Sequence, residues 1–199
     1  MAIFTEVKQV LLLAVLALFS ATAFAQWELD NEHSSINFIS IKNSAVAESH
    51  KFESLVGFVG KDGAVQLGIN LDSVQTQIDI RNERMRESLF ETDKFPAANV
   101  TATVDPAVLQ AAVEGGTVST EVAFQLSLHG QEKTLRAPLV AIGEAGGVLR
   151  VFSARPLVIN AADFGLEGGV QALQTIAGLN AISTAIPVSL HLVFRPVAQ

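Results

Sequence analysis

From residue 35 onward the dominant hydrophobic period of the chain is two. Ile36 and Phe38 alternate with Ser35 and Asn37, and Val65, Leu67, Ile69 and Leu71 with Gln66, Gly68 and Asn70. Val122, Phe124, Leu126 and Leu128 alternate with Ala123, Gln125, Ser127 and His129, and Leu135, Ala137 and Leu139 follow with Arg136 opposite. Ile186, Val188, Leu190, Leu192 and Phe194 alternate with Pro187, Ser189, His191 and Arg195. Successive side chains of a strand point to opposite faces, so each run carries one apolar and one polar face. Turn signals separate the runs: Lys61-Asp62-Gly63, Glu114-Gly115-Gly116, His129-Gly130 and Glu144-Ala145-Gly146-Gly147. Many short antiparallel strands, each with one wet face, predict an all-β sandwich or barrel. Three segments break the period. Residues 80–90 space charged and apolar residues helically, with Met85 and Leu89 four apart. Asp105-Pro106 before AVLQAAV reads as an N-cap with proline at the first helical position. Gly168–Leu179 is the third, weaker helix.

The first 25 residues follow neither period. Lys8 precedes an unbroken apolar run from Val10 to Phe19, and Ala23-Phe24-Ala25 gives the small-x-small pattern of a cleavage site. This order predicts a secretory signal peptide over 1–25, cut after Ala25, and a mature domain over 26–199. The run is shorter than the roughly 20 residues of a membrane span, and no later stretch is long and apolar enough to be one. No cysteine is present to carry a lipid anchor. The simplest destination is the periplasm.

Removing 25 residues from 199 leaves 174, which fits one domain and can bury a core without staples. The lack of cysteine excludes disulfides, thiol catalysis and cysteine-ligated metals. Glu6 and Lys8 cancel, so the mature chain keeps the net charge of −7, a poor match to nucleic acid. The aromatic residues are mostly Phe (12, with no Tyr), which brings apolar area without a hydroxyl to satisfy.

Candidate chemistry is sparse. Asp30, His33 and Ser34 put an acid, an imidazole and a hydroxyl within five residues, too close together for a catalytic triad, and no Gly-x-Ser-x-Gly elbow is present. They fit a hydrogen-bonded turn before the strand at 35–41. His33, His50, His129 and His191 do not stand at metal-ligand spacing. Arg81, Arg84 and Arg86 share a short segment with Glu83, Glu87 and Glu91. That segment is either a solvated helix face of mixed charge or an arginine site at a cavity mouth for an anionic or carbonyl head group. No phosphate loop, dinucleotide fingerprint or paired-carboxylate site is visible, and the inward faces read as almost wholly aliphatic and aromatic.

Ordered along the chain, the motifs resemble the YceI-like family of exported, polyisoprenoid-binding proteins with a lipocalin-like barrel. Trp27-Glu28-Leu29-Asp30, His33-Ser34 and Ile36-x-Phe38 match its start, and Gly57-Phe58 its first hairpin. Val74-x-Thr76, Arg81, Arg84, Glu87 to Phe90 and Lys94-Phe95-Pro96 resemble its most recognisable stretch. Leu128-His129-Gly130 to Lys133 and Asp163-Phe164-Gly165 complete the set. The resemblance implies an antiparallel, lipocalin-like β-barrel of about eight strands with one to three short helices. It implies a non-enzymatic carrier that sequesters a long isoprenoid or quinone-like lipid, with no cofactor beyond that lipid. By alternation, Ile36, Phe38, Leu67, Ile69, Phe124, Leu126, Leu139, Leu190 and Leu192 face inward. Phe58, Phe90 and Phe164 join them because they sit in the family-like motifs, and Arg81 and Arg84 are the expected head-group residues. Rival readings are an enzyme or isomerase acting on such a lipid, which needs a polar cluster inside the barrel, and a solid barrel that binds a partner protein. The reading predicts no nucleic-acid partner and no membrane span in the mature chain, and it leaves homodimerisation open.

Overall fold

The computed structural model describes residues 25–197. The expected signal peptide lies outside them except for Ala25, which opens the first strand and pairs with Gly60. Among the described residues there are twelve strands: β1 Ala25–Leu29, β2 Ser35–Lys42, β3 Val46–Phe52, β4 Leu55–Gly60, β5 Ala64–Asn70, β6 Val74–Gln75, β7 Ala97–Thr103, β8 Thr117–Leu128, β9 Gln131–Glu144, β10 Val148–Ser153, β11 Leu157–Asn160 and β12 Ala185–Pro196. They resolve into eight staves, because four staves are each broken once. β1 and β2 both lie along β12, and β3 and β4 lie along β2 and β1. β5 and β6 lie along β4 and β3, and β10 and β11 pair with successive stretches of β12. Every stave is antiparallel to its neighbour in the chain, and the last returns to the first. The result is a closed eight-stranded barrel.

The breaks are made by local polar chemistry. Between β1 and β2, Asp30 accepts from the His33 backbone N–H at 3.3 Å and from its ring Nδ1 at 2.9 Å. Ser34 Oγ accepts from the Val193 N–H at 2.9 Å, so the turn is tied to β12. The Asp30–Ser34 group is therefore structural, as the sequence predicts, and Asp30 gains a further bond from Arg195. Arg195 first and His33 second hold the Asp30 carboxyl down at about 2.

Three helices close the ends. α1 (Asp79–Arg84) runs on as a single π turn, Met85–Phe90, and covers one end together with α3 (Glu167–Ile176). The two touch where a Cβ on Gly169 would stand 2.6 Å from the Ser88 carbonyl, so only glycine allows that approach. α2 (Pro106–Val113) covers the other end. Asp105 caps it, accepting from the Ala107 N–H at 2.8 Å, with Pro106 at the first helical position. Ala112 on its inner side is fully buried, and a Cβ on Gly143 of β9 would lie 2.0 Å from the Ala112 carbonyl. The three expected helices are thus present, within a few residues of the predicted bounds. No helix among the described residues is long and apolar enough to cross a membrane.

Candidate functional site

Inside the staves runs one cavity of about 590 Å³, a size within the ordinary range for ligand sites of roughly 300–1,000 Å³. It extends the length of the barrel, from Val104, Val108 and Leu109 at the α2 end to Ile78, Ile80 and Leu179 at the α1–α3 end. Alternation places its wall. The even residues of β2, β3, β7, β8 and β12 and the odd residues of β4, β5, β9, β10 and β11 point inward. The mouth lies at the α1–α3 end. There Ile78 and Ile80 are about half exposed although they line the cavity, and Lys42 bridges Ile182 across the rim.

All nine residues placed inside by alternation line this cavity: Ile36, Phe38, Leu67, Ile69, Phe124, Leu126, Leu139, Leu190 and Leu192. Phe90, at the end of the π turn, lines it as well and stacks on Phe52, which stacks on Phe38. Two expected residues do not line it. Phe58 falls on the outer face of β4, because Leu55, Gly57 and Val59 take the inner positions. β4 is apolar on both faces, so its composition gives no sense of direction. Phe164 is 1% exposed and sits in the one-turn helix Ala161–Phe164, which packs on β9, β11 and α3; Ala161 of that turn lines the cavity but Phe164 does not. It belongs to the core and not to the cavity wall.

The wall is also less uniformly apolar than the sequence suggests. Toward the mouth β2 turns inward Ser40 and Lys42, and β3 turns inward Glu48 and His50. Glu48 Oε2 accepts from Lys42 Nζ at 2.7 Å and from Arg81 Nη1 at 2.9 Å. Arg81 Nη2 donates to the Thr76 carbonyl at 2.6 Å. The loop before α1 is itself pinned by the buried Asn82, whose Oδ1 accepts from the Thr76 N–H and hydroxyl at 2.8 and 2.6 Å. The Lys42 ammonium, and more weakly Arg81, hold the Glu48 carboxyl below the usual range despite partial burial. His50 is 4% exposed; its Nε2 meets Ser40 Oγ at 2.8 Å and its Nδ1 has no partner among the described residues. Burial, with the positive charges of Arg81 and Lys42, pushes the imidazole pKa down and favours the neutral ring.

Both expected head-group arginines line the cavity, but they are not equivalent. Arg81 is committed to Glu48 and Thr76, while Arg84 makes no hydrogen bond or ion pair among the described residues. Sequence reasoning missed Ser40, Lys42, Glu48 and His50. Their alternation in β2 and β3 was the available signal, but the rule that inner faces are apolar hid it. Ser40 and His50 stand at the spacing of a hydroxyl and its general base. A catalytic imidazole of that kind needs a carboxylate or carbonyl on its other nitrogen, and His50 Nδ1 has none among the described residues.

Comparison with known proteins fits this architecture. The family model described as YceI-like domain matches residues 27–194. A polyisoprenoid-binding domain from Saccharophagus degradans, implicated in plant cell wall breakdown, is 38% identical. It superposes with a TM-score of 0.84 over 87% of this chain and 99% of its own. BcnA of Burkholderia cenocepacia shares the fold at 17% identity, covering 83% of this chain and 98% of its own with a TM-score of 0.65. The YceI protein of Campylobacter jejuni does so at 14% identity, over 75% and 85% of the two chains, with a TM-score of 0.52. Comparison with curated protein sequences returns no match. With the family model spanning nearly the whole barrel and a 38%-identical relative aligned over most of the chain, this protein belongs to the YceI-like family.

Proposed function

We propose that this protein is an exported, periplasmic carrier that buries the hydrocarbon chain of an isoprenoid or quinone-like lipid along its barrel. The observation that carries the reading is the cavity: it is continuous, walled by aliphatic and aromatic side chains over most of its length, with its charged side chains on one side of the barrel's middle toward the mouth. The Saccharophagus relative, a polyisoprenoid-binding domain, supports the ligand class. Binding here is burial without reaction. Removing apolar chain from water contributes about 25 cal/mol per Å². A long prenyl chain offers enough area to offset the ordering cost of association. The head group then rests among Arg84, Arg81 and their neighbours at the mouth.

Organic extraction of the purified, natively exported protein followed by mass spectrometry tests the reading. A co-purified prenyl lipid, or a rise in melting temperature on adding polyprenol, is expected. Absence of both would overturn the carrier, and conversion of the added lipid would identify an enzyme instead.

A further inference from the structure

We infer that the rim of the barrel's mouth is a docking surface for a lipid bilayer, on which the cavity is loaded and unloaded. The inference rests on the carrier reading above. Seven large apolar residues are exposed among the described residues, and four of them gather at this end: Val46, Ile78, Ile80 and Ile176, each about half exposed. They come from three segments far apart in sequence. Val46 opens β3 just past the β2–β3 turn, Ile78 and Ile80 flank the first residue of α1, and Ile176 ends α3. Hydrogen bonds hold the segments together. Asn43 of the turn donates its N–H to the Ala181 carbonyl at 2.9 Å, and its Oδ1 accepts from the Asn180 N–H at 2.9 Å. The Asn180 carbonyl accepts from Gln174 of α3 at 3.1 Å, and Arg81 of α1 reaches Glu48 of β3. The rim is also poor in charge. Neither 43–47 nor 168–190 holds a charged residue. Lys42, Glu48, Asp79, Arg81, Glu83 and Arg84, which adjoin the rim, are three of each sign, so the net −7 is carried by the rest of the chain. A layer of lipid phosphates therefore repels the rest of the molecule more than the mouth, which turns the mouth toward it. Ile78 and Ile80 also line the cavity, so apolar surface runs unbroken from the rim to the interior. A prenyl chain that crosses along them from the hydrocarbon of a bilayer stays out of water, where its exposure is costly. Four half-exposed side chains are a small apolar area beside the roughly 800 Å² that each partner of a stable protein pair buries. They suit a shallow, reversible seat in a bilayer surface.

Flotation of the purified protein with phosphatidylcholine vesicles tests the dock and needs no cargo. Val46 and Ile176 do not line the cavity, so Val46→Asp/Ile176→Asp changes the rim alone. Val56→Asp/Val197→Asp, on the outer face of β4 and just past the end of β12, adds the same charge at exposed apolar sites away from the mouth. The wild type should float. With every variant shown to be folded by circular dichroism, the rim pair should bind at least fivefold more weakly and the control pair within twofold of the wild type. Val46→Trp/Ile176→Trp should bind at least threefold more tightly, because indole rings settle at the membrane interface. Transfer of fluorescently labelled geranylgeraniol from the loaded protein to the same vesicles should speed up with vesicle concentration and slow at least fivefold in the rim pair. No flotation by the wild type, or an equal loss in both aspartate pairs, overturns the dock; prenyl lipid still recovered by extraction then leaves the carrier standing. Transfer as fast in the rim pair as in the wild type overturns loading at this surface. Self-association that the rim pair abolishes, without flotation, assigns the rim to a second copy of the chain instead. Rim-dependent flotation of a protein that holds no lipid supports the dock and overturns the carrier.

Discussion

At the scale of single residues much of the cavity wall is built from the buried core, and truncation and enlargement test packing and lipid retention separately. Leu149 is 1% exposed on β10, and truncating it to alanine should cost about 2–5 kcal/mol in denaturant melts, as buried leucines generally do. Val100 lines the cavity, so Val100→Trp adds bulk where there is room for it. That variant should stay folded within about 1.5 kcal/mol while losing lipid retention severalfold by mass spectrometry. Leu126→Asp should lose both, because it buries a charge. His50 makes a third kind of residue. Its folded-state pKa lies below the unfolded value of 6.5, so the unfolded chain binds the proton more readily. The stability it contributes is complete above 6.5 and is lost as the pH falls from there toward its folded value. Melts between pH 7 and 5 should show this decline in the wild type, and His50→Gln should flatten it while sparing the carboxylate-driven loss at lower pH.

At the scale of elements, the helix α2 and the strand β9 lean on one contact. Gly143→Val would drive a side chain into the Ala112 carbonyl, so it should destabilise by about 1–3 kcal/mol or more through overpacking. Asp105→Ala, which removes only the cap, should cost about 1 kcal/mol. Circular dichroism melts of the two variants rank the contact above the cap. How readily each element could be read from the sequence follows the same local physics. β2, β5, β8 and β12 alternate large apolar with polar residues, and their inner faces were legible. β7 alternates too, but its inner residues Ala98, Val100 and Ala102 are small and its signal is faint. β10 carries Phe152 on its outer face beside inward Val151, which blurs the period. β3 inverts the rule, turning Glu48 and His50 inward, so the polar part of the site could not be found by looking for apolar faces. The helix at 79–90 was legible from its charge spacing, but the bond from Arg81 to Glu48 joins residues 33 apart and exists only once the barrel closes.

At the scale of the whole molecule, closure explains how a chain without a disulfide holds an interior open. Every stave has two hydrogen-bonded neighbours, so the wall does not depend on a filled centre. Filling that centre should add stability by mass action, about 2.7 kcal/mol at a free ligand concentration one hundred times the dissociation constant. Stripping lipid from the natively purified protein should therefore lower its melting temperature, and re-addition of polyprenol should restore it. No change on stripping a sample shown to contain lipid would separate the barrel's stability from its cargo.

The seating of α2 against Gly143 has one more consequence. With α2 seated over that end, the half-exposed Ile78 and Ile80 mark the opposite end as the doorway. A linear guest that enters there by its unsubstituted tip withdraws along the same track in reverse. Depth then acts as a ruler: a chain shorter than the bore seats its oxygen below the doorway, and a longer one must double back or leave its last units outside, within reach of whatever receives them.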